Sequence, residues 1–237
     1  GTVPNCISYD PTYAYELAVI MQDGIRRMYG PAQENIYYYI TVMNENYHHP
    51  AMPQGAEDGI RRGIYKLETL TGTKGKVQLL GSGTILNEVR RAAEILSEEY
   101  GIASDVYSVT SFNELARDGQ DCERHNMLHP SEPEKVPYIA QVMGKEPAIA
   151  ATDYIKNYVD QVRAFVPAVS YKVLGTDGFG RSDSRENLRR HFEVNAGYVV
   201  LAALRELAKQ GTIDKQLVAD AIVRFGIDTN KPNPLFA

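Results

Sequence analysis

Cysteine is scarce: Cys6 and Cys122 are the only two in 237 residues, which argues against a disulfide framework and predicts a reducing, cytoplasmic setting. No apolar run approaches the roughly 18 to 20 residues of a membrane span, and the N-terminus lacks the basic-then-apolar order of a signal peptide. These absences predict a protein that stays in water, with no membrane partner. A basic surplus is missing too. The formal net charge is −5 and the arginines are interleaved with Asp and Glu, which argues against nucleic-acid binding. A Walker loop, a Ser-His-Asp order and a paired-carboxylate arrangement are likewise absent. The chain begins Gly-Thr-Val rather than with Met, which predicts a fragment or processed product.

What is present is an ordinary globular balance, 43% hydrophobic and 23% charged, enough for one large or two small domains without disulfide or metal staples. Asp10-Pro11 predicts a helix start, followed by an apolar stripe at Ala14, Leu17, Ala18, Met21, Ile25 and Met28 that ends at Gly30-Pro31. IYYYITV (36–42) predicts a strand buried on both faces. MNENYHHPAMPQGAED (43–58) has no periodicity and predicts a linker.

Beyond it a β-α rhythm sets in. Strands are predicted at 76–80, 104–109, 148–151 and 171–174, and helices after Thr84, after the Ser111-x-x-Glu114 capping box, over 153–165 and twice near the C-terminus. The alternation predicts an α/β fold, three layers with a mostly parallel sheet covered by helices on both faces. The functional crevice of such a sheet lies at the carboxyl ends of its strands. The helix and strand before the linker do not make a domain of their own.

Four groups of residues carry candidate chemistry. Gly81, Ser82, Gly83 and Thr84 sit between a strand and a helix, where backbone N–H groups can cradle an anion, although Leu86 stands where a dinucleotide fingerprint wants a third glycine. The alternative is a tight turn. Gly175-Thr-Asp-Gly178 resembles the opening of a diphosphate and magnesium motif, but the paired Asn-Asn that completes such a site does not follow. The same stretch predicts a helix capped by Asp183 with Glu186, and puts Arg181, Arg185 and Arg189 on one basic stripe. That stripe is either a solvated face or an interface. Cys122, His125 and His129 would share one helix face as metal ligands do, but Gly119 and Pro130 weaken the helix there, and no metal site is expected. His48 and His49 are candidates for acid–base work, against a plain exposed loop.

NCISYDPTYAYELAVIMQDGIRRMYG (5–30), ENIYYYITVMNENYHHPAMPQGAEDGIRRGIYKL (34–67), VTSFNELARDGQDCER (109–124) and LGTDGFGRSDSRENLRRHFEV (174–194) resemble the C-terminal part of the homodimeric bacterial pyruvate dehydrogenase E1 family, thiamine-diphosphate-dependent and transketolase-like. The resemblance runs along essentially the whole chain. It implies that residues 1–52 are the end of a pyrimidine-binding middle domain plus linker, and 53–237 a transketolase-like C-terminal domain. It further implies thiamine diphosphate and Mg2+ in the full-length enzyme, with their established ligands and the catalytic residues upstream of this chain and no cofactor bound by the chain alone. The implied partners are a second E1 subunit and the E2 dihydrolipoyl acetyltransferase. Asn44, Glu45, Asn46 and His48, at the end of the last middle-domain strand, become candidates for the mouth of the cofactor cleft.

Overall fold

Two sheets organise the chain, and a short segment of the first is laid across the strand ends of the second. The computed structural model describes residues 2–237, so Gly1, the first residue of the expected leading segment, lies outside the described residues. Strand β1 (Cys6–Tyr9), helix α1 (Ala14–Tyr29) and strand β2 (Tyr37–Ile40) come first, with β1 and β2 paired in parallel. Their small core of Ile7, Tyr9 and Ile20 is closed by Ala56, Ile60 and Tyr65 from the next segment.

Helix α1 faces the opposite way from its predicted stripe. Glu16, Ile20, Asp23 and Gly24 are buried, whereas Met21 and Ile25 are 50% and 57% exposed. The cause is polar: the Glu16 carboxylate is anchored in the second sheet, and this sets the rotation of the helix. Nor does Asp10 cap it. The first free N–H groups are satisfied by Glu16, which accepts from Thr12 and Tyr13 (2.9 Å to the latter), and by His49 Nδ1, which accepts from Ala14 at 3.0 Å. Strand β2 is not buried on both faces either. Tyr37 and Tyr39 are exposed, Tyr38 and Ile40 half-buried, because β2 pairs with β1 alone among the described residues.

The second unit continues with α2 (Glu57–Arg62), β3 (Ile64–Leu70), β4 (Lys76–Gly81), α3 (Ile85–Tyr100), β5 (Ala103–Val109), α4 (Phe112–Leu128), α5 (Tyr138–Val142), β6 (Ala148–Ala151), α6 (Lys156–Asp160), β7 (Tyr171–Leu174), α7 (Arg185–His191), α8 (Ala196–Lys209) and α9 (Lys215–Arg224). The strand order is β3-β5-β4-β6-β7, parallel except for β3, an antiparallel edge strand that the β-α rhythm did not foretell. Helices α3, α8 and α9 cover one face through Leu86, Val89, Leu96, Val200, Leu204 and Ala221, and α4 and α5 cover the other through Phe112, Leu115 and Ile139. This is the three-layer α/β/α arrangement.

Helix α4 runs unbroken past Gly119, contrary to the weak helix expected there. The glycine is a packing device, since a Cβ at that position would lie 2.3 Å from the Phe165 ring. The single helix expected over 153–165 is instead α6 followed by a 3₁₀ turn at Arg163–Phe165. Its buried residues Val159, Val162 and Phe165 recur every third position, the 3₁₀ period rather than the α period. Helix α7 is capped by Ser184, whose Oγ accepts the Asn187 N–H at 3.3 Å; Asp183, the expected cap, accepts from the Ser184 N–H and the Asn187 side chain.

Candidate functional site

The strands β4, β5, β6 and β7 end at Gly81, Val109, Ala151 and Leu174, and the loops that follow them define the mouth of the sheet. Residues 10–12 lie across it. The Asp10 N–H donates to Thr110 O at 2.7 Å, Asp10 O accepts from the Gly83 N–H at 3.1 Å, and the Thr12 hydroxyl donates to Gly83 O at 2.7 Å. The buried Asp10 carboxylate accepts from Thr41 (2.6 Å), Tyr154 (2.8 Å) and Tyr158 (2.8 Å). Glu16, fully buried, accepts from the Ser108 hydroxyl of β5 and the Tyr65 hydroxyl of β3, both at 2.6 Å. Burial pushes the Glu16 carboxyl above the usual range, while the hydrogen bonds from Ser108, Tyr65, Tyr13 and Thr12 pull the other way.

The Gly81–Thr84 turn is therefore buried under this crossing. Its Gly83 N–H, the natural anion donor, is already hydrogen-bonded to Asp10, and the Ser82 hydroxyl faces Thr152 at 3.4 Å.

Beside the crossing is a crevice of about 360 Å3, and here residues from three of the candidate groups meet: Asn44 and Glu45, Thr84, and Arg181, Arg185 and Arg189, with Asp153 from the loop after β6. The Arg185 guanidinium donates to Asn44 O (3.0 Å) and Oδ1 (2.7 Å). Arg189, only 14% exposed, forms a two-pronged pair with Glu45 and reaches Glu88 at 3.3 Å. Burial disfavours the charged guanidinium of Arg189, but Glu45, Glu88 and Asp153 outweigh it and raise its pKa. Arg181 precedes α7 and is exposed at the crevice edge rather than on the helical stripe. Asn46 and His48 are exposed and outside the crevice lining.

The expected linker is pinned at several points. Besides Asn44, Glu45 and His49, the Tyr47 hydroxyl donates to Thr12 O and its ring stacks on His49 at 4.8 Å. Asp10, Glu16 and Glu88 were missed as joining residues. Asp10 reads as a helix cap, and a lone glutamate among apolar helix residues carries no signal of where it is anchored.

The crevice does not fit thiamine diphosphate with Mg2+. Arg185 and Arg189 are already paired, the nearby glycine N–H is engaged, and among the described residues the one grouping of three His, Cys, Asp or Glu ligands lies elsewhere, at His125, His129 and Glu132. Cys122 is buried and outside that grouping.

A mostly parallel α/β/α unit with a second, smaller sheet segment docked over its strand ends places the molecule in a defined class. The chain belongs to the transketolase-like TK C-terminal domain family, whose pattern matches residues 63–195, and the pattern of the pyruvate dehydrogenase E1 component middle domain matches residues 1–50. Over its whole length the chain is 72% identical to the pyruvate dehydrogenase E1 component of Escherichia coli K12 and 62% identical to that of Haemophilus influenzae, covering 100% of the chain and 27% of each relative. The Pseudomonas aeruginosa protein of the same description is 57% identical over 99% of the chain and 27% of its own length. The chain thus spans about a quarter of these relatives. The transketolase of Pichia stipitis shares the fold at a TM-score of 0.60 and 15% identity, over 89% of this chain and 26% of that one, and the Leishmania mexicana transketolase at 0.57 and 19%, over 88% and 26%.

Proposed function

We propose that this chain is the C-terminal quarter of a pyruvate dehydrogenase E1 component, and that the whole protein decarboxylates pyruvate on thiamine diphosphate with Mg2+ and reductively acetylates the lipoyl group of an E2 acetyltransferase. The observation that carries this reading is the unbroken 72% identity to the Escherichia coli protein through both the leading segment and the sheet domain. In this reading the protein is a cytoplasmic homodimer within the pyruvate dehydrogenase complex. Residues 1–52 finish the middle domain and 53–237 form the third.

The chain's own work is structural: it fixes the end of the middle domain on the mouth of the third through Asp10, Glu16 and the Arg189–Glu45 pair. Arg181, exposed at the crevice edge, remains available as a contact for another domain or subunit. Asn46 and His48, also exposed, are proposed to face the cofactor cleft once the rest of the middle domain is present. The Gly81–Thr84 turn serves to seat residues 10–12.

Two measurements test the proposal. The full-length protein is expected to release CO2 from pyruvate only with thiamine diphosphate and Mg2+, and the 237-residue chain to give no calorimetric signal with thiamine diphosphate. Saturable binding of the cofactor by this chain alone, or a full-length protein inert towards pyruvate, overturns it.

A further inference from the structure

The end of α4 and its capping residue His129 bring two imidazoles and a carboxylate together. His125 and His129, one helical turn apart, stack with ring centroids 4.5 Å apart. Pro130 stops the helix, and the chain turns back, with the Glu132 N–H donating to His129 O at 3.0 Å. The return is fixed by Asn126, whose side chain accepts from Lys135 N–H (2.8 Å) and donates to Lys135 O (2.9 Å). Glu132 is thereby held against both rings. One carboxylate oxygen lies 3.4 Å from His125 Nε2 and the other 3.2 Å from His129 Nδ1.

Those separations are those of ligand atoms around one small cation. Ligands about 2.0–2.1 Å from a tetrahedral zinc are about 3.3 Å from each other, and the three groups here already offer ligand atoms within 4.8 Å of one another. Two imidazoles with a carboxylate suit a borderline-soft divalent ion and disfavour Mg2+ and Ca2+, which seek oxygen shells. The spacing of the histidines, with three residues between them, is that of paired ligands on one helix face.

We propose that His125, His129 and Glu132 form a surface binding site for a divalent transition-metal ion of the zinc class, with water in the remaining coordination position. Cys122, the ligand that sequence spacing suggested, takes no part. The second nitrogen of His125, Nδ1, is buried without a hydrogen-bond partner. Ligating imidazoles ordinarily donate from that second nitrogen to an acceptor that strengthens the bond. Without one, binding is expected to be weaker than in a closed structural zinc site, with a dissociation constant in the micromolar range, and to order the return loop at 130–135 rather than to hold the fold together.

Isothermal titration of metal-free full-length protein with zinc chloride tests this. The native protein is expected to bind one more zinc per chain than a His125→Gln or His129→Gln variant, and Glu132→Gln to weaken that site at least tenfold. Cys122→Ser and His48→Gln are expected to bind as the native protein does. Melting temperatures in chelator show that each variant is folded, and Co2+ in place of zinc is expected to give visible absorption that the His129→Gln variant lacks. Native-like zinc binding by folded His125→Gln and His129→Gln proteins overturns the assignment, as does loss of the site in Cys122→Ser.

Discussion

The carboxylate of Asp10 and the hydroxyl of Tyr158, 148 positions apart in the chain, meet at 2.8 Å beneath the first segment. Tyr154 and Thr41 bond the same carboxylate, so one side chain ties β2's outgoing loop to the loop and helix after β6. Replacing it strands three hydroxyls in a water-poor site. Asp10→Ala is expected to cost about 2–4 kcal/mol, and Asp10→Asn, which keeps an acceptor, about half as much. Urea unfolding of the two variants against the native chain checks the order. Equal losses would show that the negative charge, not the acceptor geometry, matters.

Glu16 gives a pH dependence of unusual sign. Burial raises its carboxyl above the value near ~4.3 of an unfolded chain. Between the two values the folded chain keeps a proton that the unfolded chain has released, so this group's contribution is fully present below pH ~4.3 and is lost as pH rises through the folded value. Glu16→Gln is expected to stay within about 1 kcal/mol of the native chain, because Ser108 and Tyr65 can reverse their hydroxyls to accept from the amide. It should also remove that part of the slope. Glu16→Ala, which leaves two backbone N–H groups and the Ser108 hydroxyl without their acceptor and Tyr65 with Tyr15 alone, is expected to lose about 3 kcal/mol or more. Stability curves from pH 4 to 8 distinguish these outcomes.

Asp105 works in the opposite direction. Burial would raise its carboxyl, but Lys76 at 2.8 Å, Thr69 at 2.7 Å and Lys66 at 3.1 Å outweigh it and bring it down to about 2. Its contribution is present above pH ~4 and disappears as pH falls towards ~2. The lysines are solvent-exposed, so about 1–2 kcal/mol is at stake. Asp105→Asn should flatten the acid limb of the stability curve without touching the Glu16 slope; an unchanged acid limb refutes the assignment.

Gly119 against Phe165 predicts an overpacking defect. Gly119→Ala places a methyl group where the ring now lies, and a loss of about 1–3 kcal/mol is expected. Trimming the ring in the Gly119→Ala, Phe165→Leu double variant should recover part of it relative to the sum of the single changes. A native denaturation midpoint for Gly119→Ala would mean that α4 slides off the ring freely.

The Arg189–Glu45 pair is open to a double-mutant cycle. Arg189→Met removes the cation between Glu45 and Glu88 and leaves Glu45 only the longer Arg185 contact at 3.7 Å, and a loss of about 2 kcal/mol is expected, with a coupling energy to Glu45→Gln of about 1–2 kcal/mol. A coupling below about 0.5 kcal/mol would reduce the pair to a surface contact.

Much of the sheet domain was legible because local rules and tertiary packing agree there. The stripe Ile85, Val89, Ala92, Ala93, Leu96 and Tyr100 is buried as its spacing predicts, Gly101 ends α3 at φ +68°, and Ser111 caps α4. The leading segment was harder to read. Hydrophobic periodicity assigns α1 the wrong face because the buried face is fixed by Glu16, a polar anchor whose partners Tyr65 and Ser108 lie 49 and 92 positions away. Met21, Ile25, Tyr39 and Val42, apolar positions of that segment, are left exposed. At the site, arginine spacing located Arg185 and Arg189 on one stripe, but no local pattern could show that their partners are Asn44, Glu45 and Glu88. The histidines at the end of α4 were visible as a pair, while Glu132 joins them only because the chain reverses after Pro130.

In an open α/β sheet the loops at the strand ends are usually free to close over whatever binds there. Here the bonds from residues 10–12 to Gly83 and Thr110 moor two of those loops to the neighbouring segment. A displacement of that segment must drag the sheet's rim with it, so the two bodies move as one lever rather than as hinged halves. Amide exchange at Gly83 should accordingly be as slow as in the central strands.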